Sequence, residues 1–251
     1  MQLTILGSGN AAGVPVYGCN CPACARARQD SAYRRRACSA FLETETDNLL
    51  LDAGLPDLDE RFPAGTLQAI LLTHYHMDHV QGLFRLRWGV HEPIPVISPN
   101  DAKGADDLYK HPGIFDFTHR AQAFVPLQIG GFSITPIKLY HSRPALGYYL
   151  RYGERSIAYL TDTVGLPEVS CEFLAAQEID LLVIDASEPP RQTPPRNHND
   201  LDLALAIHTL IRPHQTLLTH IGHELDNYLQ EHPHALPADV RPAYDGLTIE
   251  L

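Results

Sequence analysis

A layered α/β fold built as one domain, residues 1–251, is the architecture this sequence predicts, and three observations predict it. The chain has 251 residues, 44% of them hydrophobic, enough to bury one large core. Short apolar runs of strand length alternate with segments of helical spacing. Several of those runs, 70–72 above all, release histidine or aspartate into the loop that follows, so polar chemistry gathers at strand ends.

Residues 2–6 alternate into a first strand that ends in Gly7-Ser8-Gly9-Asn10-Ala11-Ala12-Gly13. The third glycine comes one residue too late for a dinucleotide fingerprint and Pro15 replaces the helix, so the run reads as a tight loop near the floor of a site. Cys19, Cys21 and Cys24 lead into a helical stretch, 22–29. Three crowded thiolates want a fourth ligand for tetrahedral zinc, and a distant histidine must supply it. Tyr33-Arg34-Arg35-Arg36, the only dense basic run, reads as a solvated turn, with a hold on substrate phosphate as the alternative. Strands follow at 39–43 and 48–51, closing on Asp52-Ala53-Gly54, where the carboxylate either caps a turn or orients a histidine.

After the strand at 70–72 comes Thr73-His74-Tyr75-His76-Met77-Asp78-His79. His74 and His76 share one side of the emerging chain. Asp78 suits the start of a helix that Val80, Leu83 and Phe84 continue. The loop offers donors to two adjacent sites, and imidazole with carboxylate suits zinc, manganese or iron. Residues 91–122 read as loop-rich with a short helix near 105–109, and His91, His111 and His119 fall outside any ligand spacing. The segments 123–129, 132–138, 147–152 and 156–160 read as consecutive strands of a second sheet, with His141 and Asp162 released at strand ends. A helix over 166–176 and an apolar strand over 179–184 lead to Asp185. A proline-stiffened loop then delivers Arg196-Asn197-His198 to a helix at 201–211 capped by Asn199 or Asp200. The last strands are 216–219, ahead of His220, and 248–251 at a sheet edge.

A net charge of −11 argues against a general basic surface for long nucleic acid and leaves small anionic substrates open. No apolar run approaches the roughly 20 residues that span a bilayer, and the chain enters strand-like sequence without a leader, so a cytoplasmic protein without membrane contact is expected. Five cysteines, three of them crowded, fit metal binding better than a disulfide scaffold, and Cys38 and Cys171 read as small core residues.

The H-x-H-x-D-H run after an apolar strand resembles the signature of the metallo-β-lactamase superfamily. Residues 72–84, Leu72-Thr73-His74-Tyr75-His76-Met77-Asp78-His79-Val80-Gln81-Gly82-Leu83-Phe84, followed by Arg87-Trp88-Gly89-Val90, closely resemble the PhnP family of cyclic-phosphate phosphodiesterases, a likeness that runs from Leu3 to the C-terminus. The resemblance implies an αββα sandwich, two mixed β-sheets flanked by helices, with metals at one edge. It implies a first metal on His74, His76, His141 and Asp162, and a second on Asp78, His79, Asp162 and His220. Asp162 would bridge, since a carboxylate can span cations about 3.5–4 Å apart and an imidazole cannot. His223 is implied as the fourth ligand of a structural zinc on Cys19, Cys21 and Cys24. His198 is implied as the catalytic acid, with Asp78 beside it at the reacting centre. Two manganese or other divalent ions, a homodimer, and a small phosphorylated ribose as substrate are implied in the same way. The reaction would convert 5-phosphoribosyl 1,2-cyclic phosphate to ribose 1,5-bisphosphate in phosphonate catabolism by the carbon–phosphorus lyase pathway, with activity on 2′,3′-cyclic nucleotides. The competing expectations are another hydrolase of the superfamily, such as a tRNA 3′-end processing nuclease, a thioesterase or a β-lactamase, and a PqqB-like cofactor-biosynthesis protein.

Overall fold

The computed structural model describes residues 1–251. Its strands, in chain order, are β1 Gln2–Gly7, β2 Ser39–Glu43, β3 Asn48–Leu51, β4 Ile70–Leu71, β5 Ile94–Pro99, β6 Phe115–Asp116 and β7 Arg120–Ala121. There follow β8 Leu127–Ile129, β9 Phe132–Lys138, β10 Leu146–Tyr152, β11 Arg155–Leu160, β12 Leu181–Asp185, β13 Gln215–Thr219, β14 Val240–Pro242 and β15 Thr248–Glu250. The helices are α1 Pro22–Gln29, α2 Leu58–Arg61, α3 Met77–Val80, α4 Leu83–Leu86, α5 Asp106–Lys110, α6 Glu168–Ala175, α7 Leu201–Ile211 and α8 His223–Glu231.

One sheet runs β15-β1-β2-β3-β4-β5-β6, with β7 also on β5; the other runs β14-β13-β12-β11-β10-β9-β8. Both are mixed. In the first sheet β15 to β3 pair antiparallel and β3 to β6 parallel. In the second, β14 to β11 pair parallel and β11 to β8 antiparallel.

The two-residue period of a strand decides which layer each side chain joins. In β3, Leu49 and Leu51 point between the sheets while Leu50 points outward. The inner layer joins Leu3, Leu42, Phe132, Tyr148, Leu150, Tyr159, Val183 and Leu217 from both sheets in one core. Outside the first sheet, Leu50, Ile70 and Leu72 pack under Leu58, Leu83 and Leu108 of the short helices. Outside the second, Ala158, Leu182 and Ile184 meet Leu174 of α6, Ala204, Ile207 and Ile211 of α7, and Leu225 of α8. The chain thus forms four layers, helix, sheet, sheet, helix, which is the metallo-β-lactamase fold.

The region 91–122 is more ordered than its proline and glycine content predicts, because β5 forms there. Ile94 and Ser98 donate outward to the carbonyls of Ile114 and His119, while β4 on the other side is only two residues long. The missing N–H groups of Pro95 and Pro99 therefore interrupt no ladder bond. The run expected as a strand over 123–129 shortens to β8, with Phe124 at φ 63 marking the bend. No helix is long and apolar enough to cross a membrane.

Candidate metal centre and active site

Strands of both sheets end at one edge, and their ends carry the polar residues: Asp52 after β3, the 73–79 loop after β4, His141 beyond β9, Asp162 after β11, Asp185 closing β12 and His220 after β13. Gly54 lets the Asp52 turn approach α3 closely, since a Cβ there would stand 2.3 Å from the Asp78 carbonyl oxygen.

His74, His76, His141 and Asp162 form one cluster, and Asp78, His79, Asp162 and His220 a second, so Asp162 belongs to both. In the first, His74 Nε2 and His141 Nε2 each lie 2.9 Å from His76 Nδ1. His141 Nδ1 donates to the Asn197 carbonyl at 3.1 Å, which leaves Nε2 as a lone pair. Burial holds the His74, His76 and His141 imidazoles below their ordinary range, against the pull of Asp162, so all three are neutral at pH 7. Three neutral ring nitrogens converging on one point, with a carboxylate beside them, fit a divalent cation.

The second cluster carries its own sign of a missing partner. His79 Nδ1 donates to Asp52 Oδ2 at 2.8 Å, and Asp52 is anchored in turn by the backbone N–H of Thr73 at 2.8 Å. His79 Nε2 is then buried with no hydrogen-bond partner, 3.4 Å from an Asp78 oxygen and 3.3 Å from an Asp162 oxygen. With Nδ1–H committed to Asp52, and with burial outweighed by Asp162 and Asp52, which raise this imidazole well above its ordinary range, the Nε2 proton of the metal-free protein sits between two carboxylates, the place a cation would take. Burial opposes charge on Asp162, but His220 and His79 outweigh it and keep the carboxyl ionised. Asp78 is likewise buried yet held ionised by His220 and His79.

His198 joins Asp162, Asp185 and His220 in a further cluster. Its Nδ1 donates to Asp185 Oδ2 at 2.9 Å and lies 3.9 Å from Asp162, and its ring stacks on His220 at 4.6 Å. Burial works against the imidazolium, but the Asp185 charge and hydrogen bond, with Asp162 and Asp78 beyond, push His198 up to about 9. Ser187 was not a sequence candidate. Its hydroxyl donates to Asp185 Oδ1 at 2.9 Å and accepts from His220 Nδ1 at 2.8 Å, so one serine fixes the partner of His198 and the tautomer of His220. The Asn197 carbonyl was missed as well. A lone serine or a backbone oxygen leaves no mark in sequence; only the strand end at Asp185 could have drawn attention there.

Cys19, Cys21, Cys24 and His223 come together between α1 and α8, with His223 Nδ1 3.4 Å from Cys19 Sγ and 3.3 Å from Cys21 Sγ. Burial opposes a Cys21 thiolate, yet hydrogen bonds led by Asn227 bring it down to about 6, while burial pushes Cys24 up to about 11. Three sulfurs and an imidazole nitrogen are the donor set of a structural zinc.

Within the arginine run Arg34 and Arg36 are exposed, as a solvated turn would have them, but Arg35 is half-buried, donating to Ser8 Oγ, the Ala243 carbonyl and Asp226, and Arg36 pairs with Asp245 and Asp57. Lys110 pairs with Asp106. Arg143 binds Asp101 and donates to the Tyr75 carbonyl at 2.6 Å, bracing the loop that carries His74 and His76. Asp200 rather than Asn199 caps α7, accepting from the Leu203 N–H, whereas Asn199 ties the Gly165 N–H to the Asp185 carbonyl. The glycine loop after β1 lies against the residue following His220, with Ser8 accepting from the Ile221 N–H at 2.9 Å.

Known proteins share this family and fold. The family model of the β-lactamase superfamily domain matches residues 47–221. An octanoyltransferase of Porphyromonas gingivalis is 30% identical over 263 aligned positions, which cover 98% of this chain and 51% of that protein. The chain spans about half the length of the curated relatives it matches. Among solved structures, a diphosphatase from the PhnP family superposes with a TM-score of 0.82 at 28% identity, covering 99% of this chain and 96% of the other. Zinc-bound PqqB from Methylobacterium extorquens superposes at 0.77 with 22% identity over the whole of both chains, a likeness of fold.

Proposed function

The chain belongs to the β-lactamase superfamily domain family, and from that premise we propose that it is a metal-dependent hydrolase that opens cyclic phosphodiesters. The proposed substrate is 5-phosphoribosyl 1,2-cyclic phosphate, the product ribose 1,5-bisphosphate, and 2′,3′-cyclic nucleotides are further substrates. This reading places the enzyme in phosphonate catabolism. His74, His76, His141 and Asp162 hold one divalent ion, Asp78, His79, Asp162 and His220 the other, and the cysteine cluster with His223 holds zinc. Manganese suits the mixed imidazole and carboxylate sites, zinc the thiolates. When bound, the pair of ions supplies positive charge that acidifies water and neutralises phosphoryl oxygens.

The observation that carries the reading is His198, its Nδ1 fixed by Asp185 at 2.9 Å and its ring at the edge of both clusters. Opening the ring forms a bond from water oxygen to phosphorus and breaks the bond from phosphorus to the ribose 2-oxygen. That oxygen leaves as an alkoxide unless it is protonated, and His198 gives it the proton from Nε2. Asp185 stabilises the charged form before transfer and Ser187 keeps Asp185 in place. The likeness to a PhnP-family diphosphatase over nearly the whole chain supports phosphoryl chemistry. It also favours a second reading, hydrolysis of a diphosphate, whose leaving group departs with far less need of an acid. A small phosphorylated ribose as substrate, no long nucleic acid or membrane as partner, and a homodimer complete the proposal.

Phosphorus NMR of manganese-loaded protein tests it. The account expects conversion of the 1,2-cyclic phosphate to the 1,5-bisphosphate and opening of a 2′,3′-cyclic nucleotide, with a thioester and a β-lactam left intact. Inertness toward both cyclic diesters with the metal sites full would sink it, and turnover of a diphosphate alone would move the assignment to the second reading.

A further inference from the structure

A cavity of about 380 Å³ opens beside α1 and the segment after β14, and none of its lining residues belongs to the histidine–aspartate clusters. Arg26, Arg34, Arg35 and Asp226 supply its charges, Tyr33 and Tyr244 its rings. Asp226 is its one carboxylate. It accepts from Arg35 Nη2 at 3.0 Å and lies 3.5 Å from Arg26 Nη2. Arg34 is exposed, donates from Nε to the Ala27 carbonyl at 3.1 Å, and meets no carboxylate. Three guanidiniums against one carboxylate leave an excess of two positive charges, in a chain whose net charge is −11.

The excess is not resolved inside the protein. The Nε atoms of Arg26 and Arg35 are buried without an acceptor and Asp226 Oδ2 without a donor, so two donors and one acceptor stay unpaired there. The Arg26 guanidinium stacks 4.0 Å over the Tyr33 ring, which fixes its plane and leaves its edge as a fork for a tetrahedral oxyanion. Tyr33 and Tyr244 keep 44% and 52% of their surface exposed, so aromatic area stays uncovered beside the charge. A phosphate monoester carries close to two negative charges at neutral pH, which matches the excess where a carboxylate would not.

We propose that this cavity binds a phosphate monoester bearing a planar ring, a nucleoside monophosphate by chemical class, with the phosphate on Arg26 and Arg34 and the ring against Tyr244. The site is separate from the hydrolytic one, and the proposal stands or falls independently of the reaction assigned there. Its test is an NMR titration of the full-length, zinc-loaded protein with adenosine 5′-monophosphate and with inorganic phosphate, read on labelled arginine and tyrosine side chains. Saturable shifts of the Arg34 and Tyr244 signals are expected with the nucleotide. The Tyr244 response should demand about tenfold more nucleotide in Arg34→Gln, the loss of one charge-assisted contact. Arg34→Lys, which keeps the charge and the fold, should retain most of the affinity. Tyr244 signals that never move, or an affinity unchanged in Arg34→Gln, would overturn the site. Equal binding of inorganic phosphate would overturn the nucleotide class.

Discussion

Two contacts decide what His198 can do: its Nδ1 bond to Asp185 and its closeness to Asp162, at 2.9 and 3.9 Å. Both favour the imidazolium, so in metal-free protein His198 keeps its proton to about pH 9. The sign of the linkage follows. A group whose folded pKa is raised adds stability that is fully present below its unfolded value near 6.5 and is lost as the pH rises through about 9. Imidazole resonances followed against pH should show that late titration in the metal-free chain, and Asp185→Asn should bring it back toward the ordinary value. Titration of the unaltered protein near 6.5 would mean that Asp185 does not hold the proton in place. The residue types of this centre were legible because histidine and aspartate follow apolar runs at 70–72, 132–138 and 156–160. Their supports, Ser187 and the Asn197 carbonyl, were not, since a serine or a backbone oxygen gains meaning only from what it touches.

At the scale of elements, legibility followed the strength of the local signal. α7 has Leu201, Ala204, Ile207 and Ile211 on one face and Asp200 as cap, and its bounds agree with the sequence reading to the residue. β5 was hidden by two prolines, and α8 by histidines that drew attention as donors while Leu225 alone of its apolar residues is fully buried. α1 and α8 meet at the cysteine cluster and through the bond from the Ala23 N–H to Asn227. If zinc holds them, chelation or Cys21→Ser should speed amide exchange across Pro22–Gln29 while β10 stays protected. Unchanged exchange in α1 would show that packing alone fastens it.

On the scale of the whole molecule, the inner faces of both sheets share one core, in which Leu150, Tyr148 and Leu217 are fully buried. We therefore expect one domain that unfolds as a unit: near- and far-ultraviolet circular dichroism should change at the same denaturant midpoint. Leu150→Ala should lower the stability read from both signals alike by about 2–5 kcal/mol, and two separate midpoints would contradict a single domain. The same union of sheets brings strand ends from each to one edge, where His198 faces donors from both. In the proposed reaction this edge protonates a poor leaving group. The most direct measurement is the rate lost in His198→Ala, with metal content unchanged, on a 2′,3′-cyclic nucleotide and on a diester with a nitrophenolate leaving group. A loss of about 10²–10⁴ is expected for the cyclic nucleotide, whose alkoxide needs a proton, and little for the nitrophenolate, which does not. Equal losses on the two substrates would contradict it and make His198 a structural support of the site.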